Sequence, residues 1–205
     1  GTVLTRHALP VALLTDLLGA FRQDVVPDRY ADRAELLVYC RRSAHPVGRL
    51  MLHLYGISDG NVLAQSDAIC AALQLANFWQ DLSVDRRRGR LYVPLADAQR
   101  FGVAESDLLE GRDSARVRAL VGELVAWARD LMWRGAPLVH RIPGRAGWEL
   151  RFVAQGGLRI LERIEQSGFG ILRHRPTLSW HDAPLLAARA LAMRSSGSLA
   201  REEHA

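Results

Sequence analysis

The sequence predicts an all-α fold, and three observations support this prediction. Apolar residues recur at helical spacing along most of the 205 residues. Short segments rich in glycine, proline, serine and asparagine separate these stretches, and no stretch alternates apolar and polar residues as a half-buried strand would. The composition, 49% hydrophobic and 24% charged, is ordinary for a packed globular domain. We therefore expect one large helical bundle around a central cavity.

Six helical segments are predicted in chain order: residues 10–21, 31–54, 66–86, 116–139, 148–166 and 183–194. Pro10 suits the first turn of the first segment, because a proline there loses no helical hydrogen bond. Turn-like residues separate the segments at 57–61, 88–90, 143–145 and 167–170. We expect one helical domain over residues 1–195 and a disordered tail over 196–205. Because the chain starts at Gly1 without methionine and enters helical sequence almost at once, we also expect it to lack its first helices.

Composition and charge narrow the functional classes. The formal charge is +5, and every basic residue is an arginine. The arginines are dispersed and do not alternate with aromatic residues, which argues against nucleic-acid binding. Cys40 and Cys70 lack metal-ligand spacing and indicate buried free thiols in a reducing compartment. No apolar run approaches the roughly 18 residues of a membrane span, so we expect a cytoplasmic protein, at most peripheral at the inner membrane face.

One stretch of the third segment carries four polar side chains on a single helical face. At about 100° per residue, an arc of roughly 80° contains Gln74, Asn77, Asp81 and Asp85. Two aspartates four residues apart repel each other and weaken a helix, so a cation is expected between them. Mg²⁺ is commonly held by one or two carboxylates together with phosphates, and the apolar surroundings favour such a metal-diphosphate site. An exposed acidic stripe paired with the arginines at 86–88 is the alternative.

A second stretch combines a tyrosine with a bent helix. Pro46 lacks an amide hydrogen and clashes with the preceding turn, so a helix running through it should kink. Gly48 removes side-chain bulk close to that bend. Together they indicate room for a long apolar ligand, with the Tyr39 hydroxyl as a polar point at one end. The alternative is that Pro46 ends one helix and Tyr39 is an ordinary core aromatic.

Both stretches, in this order, resemble the squalene/phytoene synthase family, whose members join prenyl diphosphates head to head. The resemblance is carried by Tyr39-Cys40-x-x-x-Ala44-x-x-Val47-Gly48 and by Gln74-x-x-Asn77-x-x-x-Asp81-x-x-x-Asp85, followed by Gly89-Arg90-x-Tyr92-x-Pro94. The stretches at 156–165 and 173–176 fit the family's closing helices, so the resemblance covers nearly the whole chain. Within the family, these motifs most resemble those of the bacterial hopanoid-pathway branch, whose reaction is similar to that of hydroxysqualene synthase.

The resemblance implies an isoprenoid synthase-type helical bundle and a role for each matching residue. Asp81 and Asp85 would hold Mg²⁺ against the substrate diphosphate, and Tyr39 would lie near the reacting carbons. The implied substrate-binding residues are Gln74, Asn77, Val47, Gly48, Arg90, Tyr92 and Arg175. A guanidinium matches phosphate oxygens well, although ordinary surface or packing roles are the alternative for the last three residues.

The implied reaction is the Mg²⁺-dependent conversion of presqualene diphosphate to hydroxysqualene or squalene in hopanoid-precursor biosynthesis. A metal stabilises the departing diphosphate, and a dry apolar cavity protects the carbocation. Use of NADPH stays open, because the absence of a GxGxxG pattern only mildly favours water as the quenching group. Condensation of two farnesyl diphosphates to presqualene diphosphate or a phytoene-type product is one alternative, and a non-catalytic assembly protein is another. The implied partners are the prenyl diphosphate and other enzymes of the isoprenoid pathway.

Two departures from the family pattern affect the expected activity. The early aspartate pair, Asp24 and Asp28, has Pro27 between its members, so a helix is unlikely to hold both carboxylates on one face. Gly157 stands where many relatives have a tyrosine, so a hydroxyl is missing. Since carboxylates must converge on the metals from more than one side, we expect this chain alone to be inactive.

Overall fold

The computed structural model describes residues 2–26 and 28–193, and within them it confirms the all-α prediction. This part of the chain contains ten α-helices and no β-strand. The helices are α1 (Thr2–Arg6), α2 (Val11–Gln23), α3 (Arg33–Ser43), α4 (His45–Leu54), α5 (Gly60–Asp85), α6 (Leu95–Arg100), α7 (Glu105–Glu110), α8 (Ala115–Gly135), α9 (Gly144–Gln166) and α10 (Ala183–Ala192). Short 3₁₀ turns occur at Arg86–Arg88, Ala136–His140 and Trp180–Asp182. The predicted tail, residues 196–205, lies outside the described residues.

The observed helices differ from the predicted ones mainly at their ends. α5 begins at Gly60 rather than at residue 66, because the Asp59 carboxylate accepts a hydrogen bond of 3.0 Å from the Val62 amide and caps the first turn. Ser114 caps α8 in the same way. The helices α1, α6 and α7 are missing from the prediction, because five or six residues are too few to show a hydrophobic period.

The segment 31–54 forms two helices rather than one kinked helix. α3 ends at Ser43 and α4 begins at His45, with Ala44 between them in a non-helical conformation (φ −122°, ψ −46°). Pro46 lies in the first turn of α4, where its missing amide hydrogen costs no helical bond. The expectation of a helix that runs through Pro46 and kinks there is therefore wrong.

α5 is the central helix of the bundle and packs against α3, α4, α8 and α9. Side chains on several of its sides are buried, as expected for a helix that is apolar around most of its circumference. One group of buried side chains lies mainly between α3, α8 and the second half of α5, and another between α4, α9 and its first half. The centre of the fold is thus also the helix that carries the predicted polar face.

The two cysteines are free thiols, as expected, but only Cys40 is fully buried. Burial raises the pKa of the Cys40 thiol to about 12. Cys70 keeps some exposure, because it lies at the wall of a cavity described below. In the part of the chain that the structure describes, no helix is long and apolar enough to cross a membrane.

Candidate active site

The second half of α5 carries the predicted polar face. Because α5 is continuous to Asp85, the four polar residues share one side of the helix, as their spacing requires. Asn77 is exposed, and the half-buried members are Gln74, Asp81 and Asp85. Among the described residues no salt bridge joins the arginines at 86–88 to Asp81 or Asp85, and Asp81 binds Arg175 instead. Arg86 donates to the carbonyl oxygens of Leu172 and Leu109, each at 3.0 Å.

Asp85 lies in an unfavourable electrostatic environment. Burial and the neighbouring charge of Asp81 raise the pKa of its carboxyl group, and Arg90 and Arg88 offset only part of this effect. Among the described residues none forms a salt bridge with Asp85, whereas Asp81 binds the guanidinium of Arg175. The pair therefore retains a carboxylate that a cation would stabilise.

The Tyr39 hydroxyl binds a carboxylate outside the predicted site residues. It donates to Asp24, whose two carboxylate oxygens lie 2.8 and 2.9 Å away. The Tyr92 hydroxyl lies 3.4 Å from Oδ1 of the same aspartate. Tyr39 is 2% exposed, and burial together with the Asp24 charge raises the pKa of its hydroxyl. Tyr39 therefore stays protonated and acts as a hydrogen-bond donor.

The loop after α5 connects Asp24 to the α5 carboxylates. Gly89 turns the chain with a φ of 72°, which a glycine adopts without strain. The Arg90 amide then donates to the Asp85 carbonyl oxygen at 3.0 Å, and its guanidinium donates to the Asp24 carbonyl oxygen at 2.8 Å. The charge of Asp24 also contributes to the raised pKa of Asp85. The predicted residues that meet around Asp24 are Tyr39, Asp85, Arg90 and Tyr92.

Aromatic rings form one wall of this cluster. Tyr92 stacks on Phe78 with ring centroids 3.9 Å apart and planes 6° apart. Tyr39 lies 6.0 Å from each of these two rings, and Tyr30 lies 5.7 Å from Tyr39. Tyr30, Tyr39 and Phe78 are at most 4% exposed, so these rings pack mainly on one another, and Tyr92 is the partly exposed ring of the cluster. The face of an aromatic ring is electronegative and attracts a cation.

Arg175 approaches the α5 carboxylates from the segment after α9. Its Nε donates to Oδ1 of Asp81, and the neighbouring Gln80 amide donates to the Pro176 carbonyl oxygen at 2.6 Å. The Arg175 side chain is 45% exposed, so its salt bridge contributes little to stability. Arg175 can therefore leave Asp81 for a phosphate at small cost.

An apolar cavity of about 300 Å³ adjoins the first half of α5. Its wall is formed mainly by α4, α5 and α9, and it includes the predicted substrate-binding residues Val47 and Gly48. On α5 the lining extends from Ser66 to Leu73, directly before Gln74. The volume is at the lower end of the range for small-molecule sites. The cavity wall and the polar face thus follow each other along one helix.

Gly48 allows α4 and α5 to pack closely and does little to widen the cavity. A Cβ at this position would lie 2.3 Å from Ser66 Oγ and 2.7 Å from Cys70 Sγ. The room that the sequence suggested for a ligand is therefore largely filled by side chains of α5. Gly48 is therefore required for the close packing of α4 against α5, and it also lines the cavity.

Gly157 lies behind the wall of the same cavity. A Cβ there would come 2.7 Å from Leu73 Cδ2 and 2.8 Å from Met132 Cε. A larger residue at position 157 would have to displace Leu73, which lines the cavity. The absence of a tyrosine at this position is thus accommodated by the local packing.

The donor set fits Mg²⁺ that is held jointly with phosphate. Asp81 and Asp85 supply hard oxygen ligands one helical turn apart, and the raised pKa of Asp85 indicates a carboxylate that lacks a cation. Within residues 2–26 and 28–193 there is no group of three or more histidine, cysteine, aspartate or glutamate side chains that could hold a metal ion. Since Mg²⁺ usually keeps phosphate and water ligands, two carboxylates are a sufficient contribution from this helix.

A helical bundle that joins an apolar cavity to a carboxylate-bearing helix has the features of an isoprenoid synthase. The squalene/phytoene synthase family model matches residues 1–182, and the chain belongs to this family. The family resemblance inferred from the motifs is confirmed.

Relatives with two different reactions are similar to the chain. It is 38% identical over 165 residues to the hydroxysqualene synthase of Rhodopseudomonas palustris, which covers 79% of this chain and 56% of the relative. It is 35% identical over 193 residues to the phytoene synthase of Thermus thermophilus, which covers 93% of this chain and 66% of the relative. The crystal structure of squalene synthase HpnC from Alicyclobacillus acidocaldarius is similar with a TM-score of 0.77 and 36% identity, over 81% of this chain and 63% of that chain. The chain thus spans between half and two thirds of the length of these relatives.

Asp24 is a candidate site residue that the sequence prediction noted, as half of an early aspartate pair, but did not assign to the site. In the structure it follows the last residue of α2 and meets Tyr39 and Arg90, which come from distant parts of the chain. The spacing of Asp24 and Asp28 drew attention to the residue, but contacts with Tyr39 and Arg90 leave no local pattern, so its place in the site could not be predicted.

Proposed function

We propose that this protein catalyses a Mg²⁺-dependent reaction of a prenyl diphosphate, with the diphosphate at Asp81 and Asp85 and the prenyl chain in the apolar cavity. One observation carries this proposal. A single helix forms the cavity wall from Ser66 to Leu73 and then presents the carboxylate face. Asp81 lies about 12 Å beyond Leu73 along the helix axis. A prenyl diphosphate has the same order of parts, an apolar chain followed by a charged group.

Each group in the site has a separate task in this proposal. Mg²⁺ supplies charge that stabilises the departing diphosphate. Asp81 and Asp85 bind and orient the metal, and Arg175 binds diphosphate oxygens once it has left Asp81. Tyr92, the partly exposed ring of the aromatic cluster, stabilises positive charge on the prenyl carbons, and the cavity excludes water from them.

Tyr39 and Asp24 act as a pair at the reacting end. The carboxylate of Asp24 accepts from the Tyr39 hydroxyl and fixes its position. A hydroxyl held in this way presents its oxygen lone pairs in one direction. We assign Tyr39 to orienting the reacting carbons and Asp24 to positioning Tyr39.

The particular reaction that we propose is the conversion of presqualene diphosphate to hydroxysqualene or squalene. The similarity to hydroxysqualene synthases of Rhodopseudomonas palustris and Sinorhizobium fredii supports it. The second candidate is head-to-head condensation of two farnesyl diphosphates, or a phytoene-type reaction. It is favoured by the phytoene synthase of Thermus thermophilus, whose alignment covers more of this chain.

Product analysis tests these alternatives. With the complete enzyme, Mg²⁺ and presqualene diphosphate we expect release of diphosphate and formation of hydroxysqualene without NADPH, and no release in EDTA. Formation of squalene only when NADPH is present would assign hydride as the quenching group. Presqualene diphosphate formed from farnesyl diphosphate would establish the second candidate. Binding of prenyl diphosphates without any turnover would instead indicate a non-catalytic member of the family.

A further inference from the structure

A groove on the far side of α9 from the apolar cavity has no part in the proposed reaction. α8 and α10 each pack on α9 but hardly touch each other, so α9 forms the floor of a groove between them. The volume of the groove is about 460 Å³, within the range for small-molecule sites. At 100° per residue, the α9 side chains that line it lie roughly opposite those that line the apolar cavity. The groove is therefore separate from the prenyl site.

The groove, which we call the α9 groove, combines polar side chains with an exposed aromatic ring. Arg129 and Trp133 line it from α8, four residues apart, and Gln155 and Glu162 line it from α9, seven residues apart. Such spacings place side chains on one side of a helix. Arg189 lines it from α10. The Trp133 side chain is 54% exposed, so a ligand in the groove would meet both an apolar ring and hydrogen-bonding groups.

Gln155 supplies a buried amide without a partner. The residue is only 5% exposed, and among the described residues none forms a hydrogen bond with its side chain. Burying an amide that makes no hydrogen bond is costly, and an apolar side chain of the same size would avoid the cost. Because Gln155 lines the α9 groove, a ligand there can reach its amide. The side chain therefore indicates that a polar group binds in the groove.

The charges of the α9 groove favour an anion. Arg189 pairs with Glu162, whereas Arg129 pairs with Glu165, which does not line the groove. The side chains of Arg129 and Arg189 are 30% and 36% exposed, so these salt bridges contribute little to stability. Each guanidinium can therefore turn towards a ligand oxygen at small cost. Within the described residues, two arginines and one carboxylate line the groove.

We propose that the α9 groove binds a small organic anion, a phosphate or carboxylate with an apolar body. The two guanidinium groups and the Gln155 amide donate to its anionic oxygens, and its body packs on the exposed face of Trp133. This proposal does not rest on the proposed function, because no residue of the α9 groove belongs to the site at the second half of α5.

Equilibrium dialysis of the complete enzyme with naphthyl phosphate measures the binding. Naphthol and inorganic phosphate are the matched probes, since each lacks one half of the proposed ligand, and naphthoate replaces the phosphate by a carboxylate. We expect saturable binding of the two organic anions, at least about tenfold tighter than that of naphthol or inorganic phosphate. The tighter of the two anions assigns the headgroup. The dissociation constants should be the same in EDTA and in Mg²⁺, because the groove needs no metal.

Matched variants assign the binding to the α9 groove. Gln155→Met keeps the size of the side chain and removes the amide, so the dissociation constant of naphthyl phosphate should rise about tenfold. The urea midpoint should not fall, because the variant buries no unpartnered amide. Gln166→Met is the control, because Gln166 lies on the same helix, is exposed and does not line the groove. Arg189→Gln should weaken the binding of naphthyl phosphate and leave that of naphthol unchanged.

Three results would overturn the proposal. One is equal binding of naphthyl phosphate by the wild type and Gln155→Met. Another is the absence of saturable binding of either organic anion, which would show that water alone occupies the groove. The third is binding that requires Mg²⁺ or is lost in Asp81→Asn, because the probe would then occupy the carboxylate site of α5.

Discussion

Asp97 and Asp85 are two carboxylates in opposite electrostatic situations. Asp97 lies in the first turn of α6, where the helix dipole favours negative charge. It accepts from the Arg33 guanidinium at 2.8 and 3.1 Å and also binds Arg100. Asp85 is the last residue of α5, where the dipole disfavours negative charge, and Asp81 lies one turn before it. Among the described residues none forms a salt bridge with it.

The difference separates a structural carboxylate from a candidate ligand. Asp97 is 5% exposed, and its negative charge is balanced by Arg33 and Arg100 within the protein. Asp85 has a raised pKa because the protein does not supply the charge that would balance it. A fold keeps such an unfavourable group where an external partner provides the missing charge. The predictions below test whether the two regions differ in this way.

The largest expected effect is that of Asp81→Asn on catalysis, measured, like the kcat values below, in the complete enzyme. Removing a metal ligand should lower kcat about 100-fold or more, while the free energy of unfolding changes by at most about 0.5 kcal/mol. Steady-state diphosphate release and urea unfolding measure the two quantities. Asp130→Asn on α8 is the matched control, because that carboxylate is 53% exposed and its one salt bridge among the described residues is with Arg134. A wild-type kcat in Asp81→Asn at saturating Mg²⁺ would contradict the metal role.

Asp97→Ala should show the reverse pattern. The substitution removes the buried one of two carboxylates that bind Arg33 and Arg100, and Glu123 still pairs with both. Because both arginines are also partly exposed, we expect a loss of about 1 to 2 kcal/mol in stability. The kcat of the folded fraction should remain that of the wild type. Urea unfolding gives the loss, and Asp97→Asn should lose less because its amide oxygen still accepts a hydrogen bond. A loss no larger than that of Asp130→Ala would remove the contrast between the two regions.

Tyr39→Phe should weaken catalysis without unfolding the protein. The change removes the donor that lies 2.8 Å from Asp24, which should cost about 1 kcal/mol of stability and lower kcat about tenfold. Tyr30→Phe is the control, because Tyr30 packs on the same ring but its hydroxyl has no hydrogen bond among the described residues. Equal kcat values for the two variants would show that the Tyr39 hydroxyl has no role beyond packing.

Local patterns in the sequence predicted one part of this site and not the other. The polar face of α5 depends only on helical periodicity, so the shared side of Asp81 and Asp85 on one helix could be predicted from their spacing. The sequence predicted a disruption at Pro46, whereas the helix breaks two residues earlier, at Ala44. A proline indicates that a helix is disrupted nearby, but not whether the backbone changes before or after it. Asp24 and the packing role of Gly48 depend on side chains from other helices, which no local pattern contains.

The smallest expected effect is on the stability of the metal-free protein. The pKa of Asp85 is raised above its ordinary 3.8, so the folded state holds the proton more tightly than the unfolded chain does. The carboxylate therefore lowers stability at neutral pH, and this cost disappears below the unfolded pKa. In EDTA at pH 7, Asp85→Asn should raise the free energy of unfolding by about 0.5 kcal/mol, and near pH 3 the two proteins should be equally stable.

Magnesium should reverse this order of stability. At a concentration ten times its dissociation constant, Mg²⁺ adds about 1.4 kcal/mol to a protein that binds it only when folded. The wild type should gain this stability, with diphosphate present as the second source of ligands, and Asp85→Asn should gain much less. Urea unfolding of both proteins under three conditions, with EDTA, with Mg²⁺, and with Mg²⁺ plus diphosphate, gives six free energies of unfolding to compare. An equal gain in both proteins would place the metal elsewhere, and Asp85 would then be an unfavourable carboxylate without a ligand to explain it.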